Sequence, residues 1–425
     1  MGALCCKQEE IDESGGEIEN RDKKRERKKI NGRFLICKKG PELNHFQVLK
    51  IIGKGGFGKV RIVQHKKTQR RYALKYMNKT QIIKDKAVGN ILSERRLLEH
   101  IDYPYIANMR YAFQDDETLF MALDLMLAGD LRLQLENDPK RFNELQVRHH
   151  VATLALSLGY LHKKRIVHRD IKPENILTDA KGYAHLADFN IATQLSPSQP
   201  WIWSKGGTIA YMAPEILARK GYSTSVDWWS LGIVTFELLF GMRPFTASSK
   251  EALVHSILHH TPVFPDNVYE IVSKDCINVI TGLLDKSPFH RLGCNTDGFE
   301  KFKMHPWFRG LDWDLLEKKQ LTPPNKPTTT QYRLFTEDGL ISHNKRHSAV
   351  KTSSSMDVLN PVTEEARYRM QLEDEFLNFD YSQHGMVETD SDTGFLEGRR
   401  NSLKRHYDRF KRRSQSITTF EPYSD

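Results

Sequence analysis

Apolar and polar positions divide the chain into a patterned middle and two polar ends. Up to residue 44 apolar residues are sparse and without period, so residues 1–44 read as a disordered basic segment. From Phe46 the pattern is strand-like: Phe46, Val48, Lys50 and Ile52 alternate with Gln47, Leu49 and Ile51. A glycine turn follows, then runs at 60–63 and 71–77, which together predict a short antiparallel meander. From Leu145 the period changes. Val147, Val151, Leu154, Leu158 and Leu161 recur at steps of four and three, the mark of one helix face. Residues 227–240 are apolar on nearly every side, as in a buried helix. Patterning holds to about Phe308; Pro323, Pro324, Pro327 and a polar tail come after. No solenoid-type repeat occurs. Strands first and helices later predict an α+β fold, a small antiparallel β lobe followed by a larger helical lobe, with a cleft between them where a ligand could sit.

Composition changes this picture little. Of the 425 residues, 39% are hydrophobic and 10% aromatic, enough for a large core. The net charge of +10 is concentrated in the basic runs 21–29 and 399–413, outside the patterned middle. Solvated tails explain such runs as well as acidic partners do. The 21–29 run has no interleaved aromatic residue and the 399–413 run has only Tyr407 and Phe410, so no nucleic acid is expected as a partner. The five cysteines (Cys5, Cys6, Cys37, Cys276 and Cys294) form no CxxC pair and read as reduced thiols of an intracellular protein. The most apolar stretch, 231–242, contains Glu237 and falls short of the roughly 20 residues that span a bilayer.

The candidate chemistry starts at the glycine turn, Gly53-Lys54-Gly55-Gly56-Phe57-Gly58-Lys59-Val60. Glycines let backbone amides approach a phosphate unobstructed. A Walker A loop would need Ser or Thr where Val60 stands. A dinucleotide fingerprint would run directly into a helix, and here a β-like run follows. A phosphate-covering turn between two strands remains, with a plain hairpin as the alternative. Lys75 lies on the third strand between apolar neighbours, where it could neutralise phosphates if a carboxylate oriented it; Glu94 is the candidate, with an ordinary surface glutamate as the alternative. His168-Arg169-Asp170-Ile171-Lys172-Pro173-Glu174-Asn175 follows the long helix. Asp170 could take a proton from an incoming hydroxyl, Lys172 could stabilise charge on a phosphoryl group, and Asn175 could offer Mg²⁺ a hard oxygen ligand. Asp188, in Asp188-Phe189-Asn190, is the second candidate metal ligand.

These motifs, in this order, resemble the eukaryotic protein kinases over residues 46–308: a Gly-rich loop, a strand lysine, the H-R-D-x-x-x-x-N loop, the metal-binding Asp, Ala213-Pro214-Glu215 and Arg291. The resemblance implies a bilobal kinase domain over 45–308 that uses ATP and Mg²⁺ to phosphorylate protein serine or threonine. It implies a Glu215–Arg291 ion pair, an adenine site between Ile52, Val60, Ala73 and Leu177, a gatekeeper at Leu123, a hinge from Asp124 to Met126 and a ribose partner at Asp130. A nucleotide-binding pseudokinase scaffold is the alternative. Ser204-Lys205-Gly206-Gly207-Thr208 and Phe376-Leu377-Asn378-Phe379-Asp380-Tyr381 are similar to the activation loop and hydrophobic motif of the AGC group. They make 309–385 an AGC-type tail and 386–425 a disordered basic one, and Ser204 a candidate phosphosite. Asp380 stands where many members carry a phosphorylated residue, and its charge is expected to dock the tail beside Glu94. The strings 75–79, 129–132 and 188–192 resemble the YANK (serine/threonine kinase 32) subfamily. There Asn190 in place of glycine is normal, and asparagine tolerates positive φ. Glu174 and Glu237 occupy positions where basophilic relatives bind arginine, so protein substrates with Arg upstream of the acceptor are expected.

Gly2, Cys5 and Cys6 are candidates for acylation, although Cys6 stands where myristoylation favours Ser or Thr. The expectation is a cytoplasmic chain attached to the inner face of the plasma membrane; the alternative is a soluble one. Fractionation of Gly2→Ala against the natural chain distinguishes them.

Overall fold

A computed structural model describes residues 41–55, 57–138, 142–295, 297–324, 376 and 379–382, and the backbone of two strands ahead of them. Those two, β1 (Lys28–Ile30) and β2 (Arg33–Leu35), pair antiparallel within a unit of their own. They and the 3-10 turn Leu43–His45 depart from the unordered segment expected over 1–44. Gly2, Cys5 and Cys6 lie outside the described residues, as does the 386–425 tail.

The second unit begins with β3 (Phe46–Gly55), β4 (Gly58–His65) and β5 (Arg71–Asn78), the expected meander. After α1 (Lys79–Lys84) and α2 (Val88–Glu99) come β6 (Met109–Gln114) and β7 (Thr118–Asp124). With β12 (Tyr381–Ser382), from far along the chain, they form one sheet in the order β12-β6-β7-β5-β4-β3. Its neighbours all pair antiparallel. Phe46, Tyr72, Tyr111, Phe113 and Phe120 pack together on one face with Val63 and Leu74. The opposite face is fixed by register. Val60 lies opposite Lys75, and Ala73 opposite Leu123. Directly opposed residues and residues two apart share a face of a pleated sheet, so these four side chains look the same way.

The large lobe is built on two helices. Asn143 and Gln146 form a capping box at the start of α4 (Glu144–Lys163), after α3 (Leu131–Asn137). Every residue of α6 (Ser225–Phe240) except the last is buried, and the helix stops at Gly241, whose φ of 68° suits glycine. Between α4 and α6 run four short strands, β8 (Ile166–Val167), β9 (Ile176–Thr178), β10 (Ala184–Leu186) and β11 (Thr193–Gln194), and then α5 (Pro214–Leu217). The lobe is completed by α7 (Lys250–His259), α8 (Val268–Ile271), α9 (Lys274–Leu283), α10 (Gly298–Lys303) and α11 (Trp313–Glu317). The chain after residue 308, where the tail is expected to begin, packs against this lobe. The Tyr103 hydroxyl donates to Glu317 at 2.8 Å, and that of Tyr183 to the carbonyls of Lys319 and Leu321 at 3.0 and 2.9 Å. Residues 317–321 are therefore anchored on the lobe. Among the described residues no helix is long and apolar enough to cross a membrane.

Arg291 donates to both oxygens of Glu215, at 2.7 and 2.9 Å, with both residues buried. Its other donors reach the carbonyls of Ser225 and Asp285 at 3.0 and 2.9 Å. This fork ties the segment ending at α5 to the helical core. A buried ion pair is tolerable only with its remaining hydrogen-bonding capacity filled, which is the case here.

Candidate active site

Lys75 and Glu94 meet as expected. Lys75 Nζ donates to the two Glu94 oxygens at 3.0 and 3.2 Å and stands 3.9 Å from Asp188 Oδ1. The sheet register delivers Lys75 to the cleft face, and α2 places the buried Glu94 against it. Burial works against the ammonium, but Glu94 and Asp188 outweigh it and hold the Lys75 pKa above the ordinary lysine value.

Asp170 is saturated on both oxygens. Oδ1 accepts from the Thr208 amide at 3.1 Å and its hydroxyl at 2.9 Å. Oδ2 accepts from Lys172 Nζ at 2.6 Å and Asn175 Nδ2 at 3.0 Å. Burial alone would raise its pKa; the bonds from Lys172 and Thr208 outweigh it and keep the carboxyl below its usual range. Asp170 is thus an ionised acceptor. Thr208 reaches it because Gly207 crosses the catalytic loop with φ 102°, where an added Cβ would sit 2.4 Å from the Arg169 carbonyl oxygen. Only glycine fits there.

Asn175 turns its amide nitrogen to Asp170, which leaves its carbonyl oxygen as the atom able to face a cation. The side chain of Asp188 is 46% exposed and beside Lys75. No group of three or more His, Cys, Asp or Glu that could hold a metal occurs among the described residues. Asn175 and Asp188 are nonetheless hard oxygen donors, which suits Mg²⁺, a cation that completes its shell with water and substrate phosphates. The residue of this stretch with left-handed backbone is Asp188, at φ 61°, and not Asn190. Asparagine at 190 is therefore not explained by tolerance of positive φ.

The nucleotide-side candidates fall into two groups. Val60 and Ala73 share the sheet face of Lys75, and Ile52 and Leu177 are partly buried like them. Leu177 bridges to Asp130, which joins the chain after the hinge to the floor of the cleft. Asp130 accepts from the Leu133 amide at 2.8 Å as the cap of α3, so a ribose hydroxyl would share this carboxylate. Asp124 differs from a side-chain ligand. Its carboxylate is taken by Arg110 at 2.6 and 2.7 Å, which leaves only its backbone, with that of Met126, for a base. In the glycine turn, Gly55 pairs with Gly58, Gly53 with Val60 and Lys54 with Lys59; Gly56 lies outside the described residues. Phe57 packs against the core, and Lys59 is exposed.

Three contributors were not legible as such. Asp227 is fully buried and accepts from the amides of His168 at 2.9 Å and Arg169 at 2.9 Å and from His162 Nε2 at 2.9 Å. It clamps the catalytic loop from beneath. Burial pushes its carboxyl up, but His162, His168 and the Arg169 amide prevail and hold its pKa below the ordinary 3.8. A carboxylate of depressed pKa stabilises the fold above 3.8, and this contribution fades as pH falls through its lower folded value. Asp227→Asn is accordingly expected to be less stable than the natural chain at neutral pH, with the gap narrowing on acidification below 3.8. Thermal unfolding across pH measures this; parallel curves would contradict it. The second contributor is Arg169. It donates to Ser204 Oγ at 3.1 Å and to the Ile191 carbonyl at 2.6 Å. The third is Arg132, which holds both Glu174 and Glu237, at 3.0 and 3.1 Å. The two carboxylates expected to await a substrate arginine are already engaged.

The tail reaches the small lobe at the back of α2. Phe376 and Phe379 are fully buried. Arg95 donates to the carbonyls of Phe379 and Asp380 at 3.1 and 2.9 Å, and Gln114 to that of Phe376 at 2.8 Å. Glu94 and Arg95 are helix neighbours about 100° apart. One helix therefore holds the cleft carboxylate on one side and the tail on another. The reaction site is defined by these groups and not by the cavity of about 1150 Å³ beneath the activation segment, whose walls include Trp201, Trp228 and Phe289.

Two lobes with an oriented lysine, an ionised aspartate on a loop and two oxygen donors make up the candidate active site. Residues 46–308 match the protein kinase domain family, and the chain belongs to it. Within that family its likeness runs to AGC kinases of the serine/threonine kinase 32 type. It is 41% identical over 297 residues to human serine/threonine-protein kinase 32C, covering 68% of this chain and 60% of that protein. It is 40% identical over 287 residues to a probable serine/threonine-protein kinase of Dictyostelium discoideum, covering 68% and 61%. For Caenorhabditis elegans serine/threonine-protein kinase sgk-1 the identity is 38% over 285 residues, covering 67% and 60%. The chain thus spans about three fifths of the length of these relatives.

Proposed function

We propose that this chain transfers the γ-phosphoryl group of ATP, bound with Mg²⁺, to serine or threonine hydroxyls of protein substrates. The observation that carries the reading is the convergence of Lys75, paired to Glu94, with Asp188, Asn175 and the ionised Asp170 on one cleft. In this reading Lys172 turns from Asp170 Oδ2 to the transferred group, and Asp170 accepts there the hydrogen bond of the incoming hydroxyl and takes its proton as the new O–P bond forms and the bond from the γ-phosphorus to the β-phosphate oxygen breaks, releasing ADP. Lys172 offsets charge on the transferred group. Lys75 neutralises the α- and β-phosphates, held straight by Glu94. Asn175 and Asp188 would hold Mg²⁺, which supplies charge neutralisation at the phosphates. Such preorganised charge is the main source of rate in phosphoryl transfer. The pseudokinase alternative is disfavoured because each group the chemistry needs is present and oriented. Arg169 beside Ser204 supports a regulatory role for that serine, since a phosphate there would gain a guanidinium partner. An upstream arginine in the substrate is not part of the proposal, because Arg132 occupies its carboxylates. The test is label transfer from γ-labelled ATP to a degenerate serine and threonine peptide library, with and without Mg²⁺. Metal-dependent phosphoserine or phosphothreonine is expected; a chain that binds nucleotide and transfers nothing would refute the reading.

A further inference from the structure

Arg132 is the second residue of α3, two positions after the cap Asp130. Its Nε donates to Glu174 Oε1 at 3.0 Å, and its Nη2 donates to Glu237 Oε1 at 3.1 Å and to the Tyr211 hydroxyl at 2.6 Å. Tyr211 in turn donates to Glu237 Oε2 at 2.5 Å. Both Glu237 oxygens are thereby filled, and Glu237 is only 4% exposed. The group lies against the reaction site from two sides. Glu174 precedes Asn175, which binds Asp170, and Tyr211 follows three residues after Thr208, which also binds Asp170. An extended peptide presenting a hydroxyl to Asp170 would run past this cluster.

Two carboxylates so placed, one of them buried, form an acidic pocket whose charge complements that of a guanidinium group. An empty one would draw arginine from a substrate. Here the guanidinium comes from the chain itself. We propose that Arg132 is a specificity-determining residue: a built-in occupant of the acidic pocket beside Asp170, which removes the demand for arginine in the substrate. The inference rests on the kinase reading above and refines it. Two arguments decide its direction. The tethered side chain competes at an effective concentration of about millimolar or more, above that of most protein substrates. It also reduces the local charge from two negatives to one, so that steering of basic peptides weakens.

The test uses the full chain and Arg132→Ala, which empties the pocket. Each position upstream of the acceptor is scanned with arginine against alanine in otherwise identical peptides. The natural chain is expected to show a ratio of kcat/KM within about threefold at every position, and the variant at least about tenfold favouring arginine at one of them. Agmatine, a free guanidinium probe, is titrated calorimetrically into both proteins. Binding to Arg132→Ala and none to the natural chain is the expected result. A natural chain that already prefers arginine by about tenfold, or agmatine binding alike to both, would overturn the proposal. If Arg132→Ala is too unstable to handle, the peptide scan on the natural chain alone still decides against the proposal when arginine is strongly preferred. Should neither protein phosphorylate any peptide, the kinase reading fails, and agmatine binding still tells whether Arg132 plugs the pocket.

Discussion

Asp170→Asn is expected to slow phosphoryl transfer by about 10²–10⁴-fold, the usual contribution of a positioned general base. At 1.36 kcal/mol per tenfold this is about 2.7–5.4 kcal/mol in the barrier. The geometry explains why a nearly isosteric change should matter so much. Oδ1 accepts two bonds from Thr208, and Oδ2 accepts bonds from Lys172 and Asn175. An amide offers one oxygen where the site supplies donors to two. Its nitrogen must face either Thr208 or the Lys172–Asn175 pair, donor against donor. The variant thus loses the base and disturbs Lys172 and Asn175 with it. Nucleotide binding, which draws on Lys75 and the hinge, should change little. Single-turnover transfer alongside nucleotide titration separates the two effects. Transfer within about tenfold of the natural rate would remove Asp170 from the role given to it.

Replacing Phe376 and Phe379 together by alanine is expected to release the tail from α2. Burying a phenylalanine side chain is worth about 3–5 kcal/mol against alanine, and both rings are fully buried. The two losses should not add, because once the tail has left there is nothing further to lose. Asp380 is the lesser element. It is exposed and meets Gln114 at 3.3 Å, and exposed charges contribute about 0–1 kcal/mol. The rings, more than the charge, hold the tail. Release leaves Arg95 buried without the carbonyls of Phe379 and Asp380, and α2 is then free to shift Glu94 off Lys75. Transfer should fall by at least about tenfold, or about 1.4 kcal/mol, and amide exchange should rise along α2 and β6. Unchanged transfer by the double variant would dissociate the tail from the cleft.

Local patterns made much of this legible. Alternation at Phe46–Ile52 and the helical steps from Val147 to Leu161 fixed the two lobes, because each element's own residues record its buried face. Short-range motifs likewise placed Lys75, Asp170, Asn175 and Asp188, whose spacing is set by single strands and loops. What escaped depends on residues far apart in the chain. The partners of Arg132 are 42 and 105 positions away, and Asp227 lies 59 and 58 positions from the amides of the loop it clamps. No window along the sequence joins such groups. That Arg110 from the neighbouring strand takes the Asp124 carboxylate escaped for the same reason. The seating of the short turn beyond Phe308 on the large lobe was not legible, because a short helix held by tyrosine hydroxyls carries almost no periodic signal.

The pairing of Tyr381 with Ala112 and of Ser382 with Tyr111 has a bearing on solubility. At the margin of a sheet, uncovered amides and carbonyls recruit extended chain from any source. A fragment ending ahead of residue 376 would bare the margin of β6 and two phenyl sockets on one surface. It would be prone to self-association, visible by light scattering, so the tail also serves the small lobe as an aggregation guard.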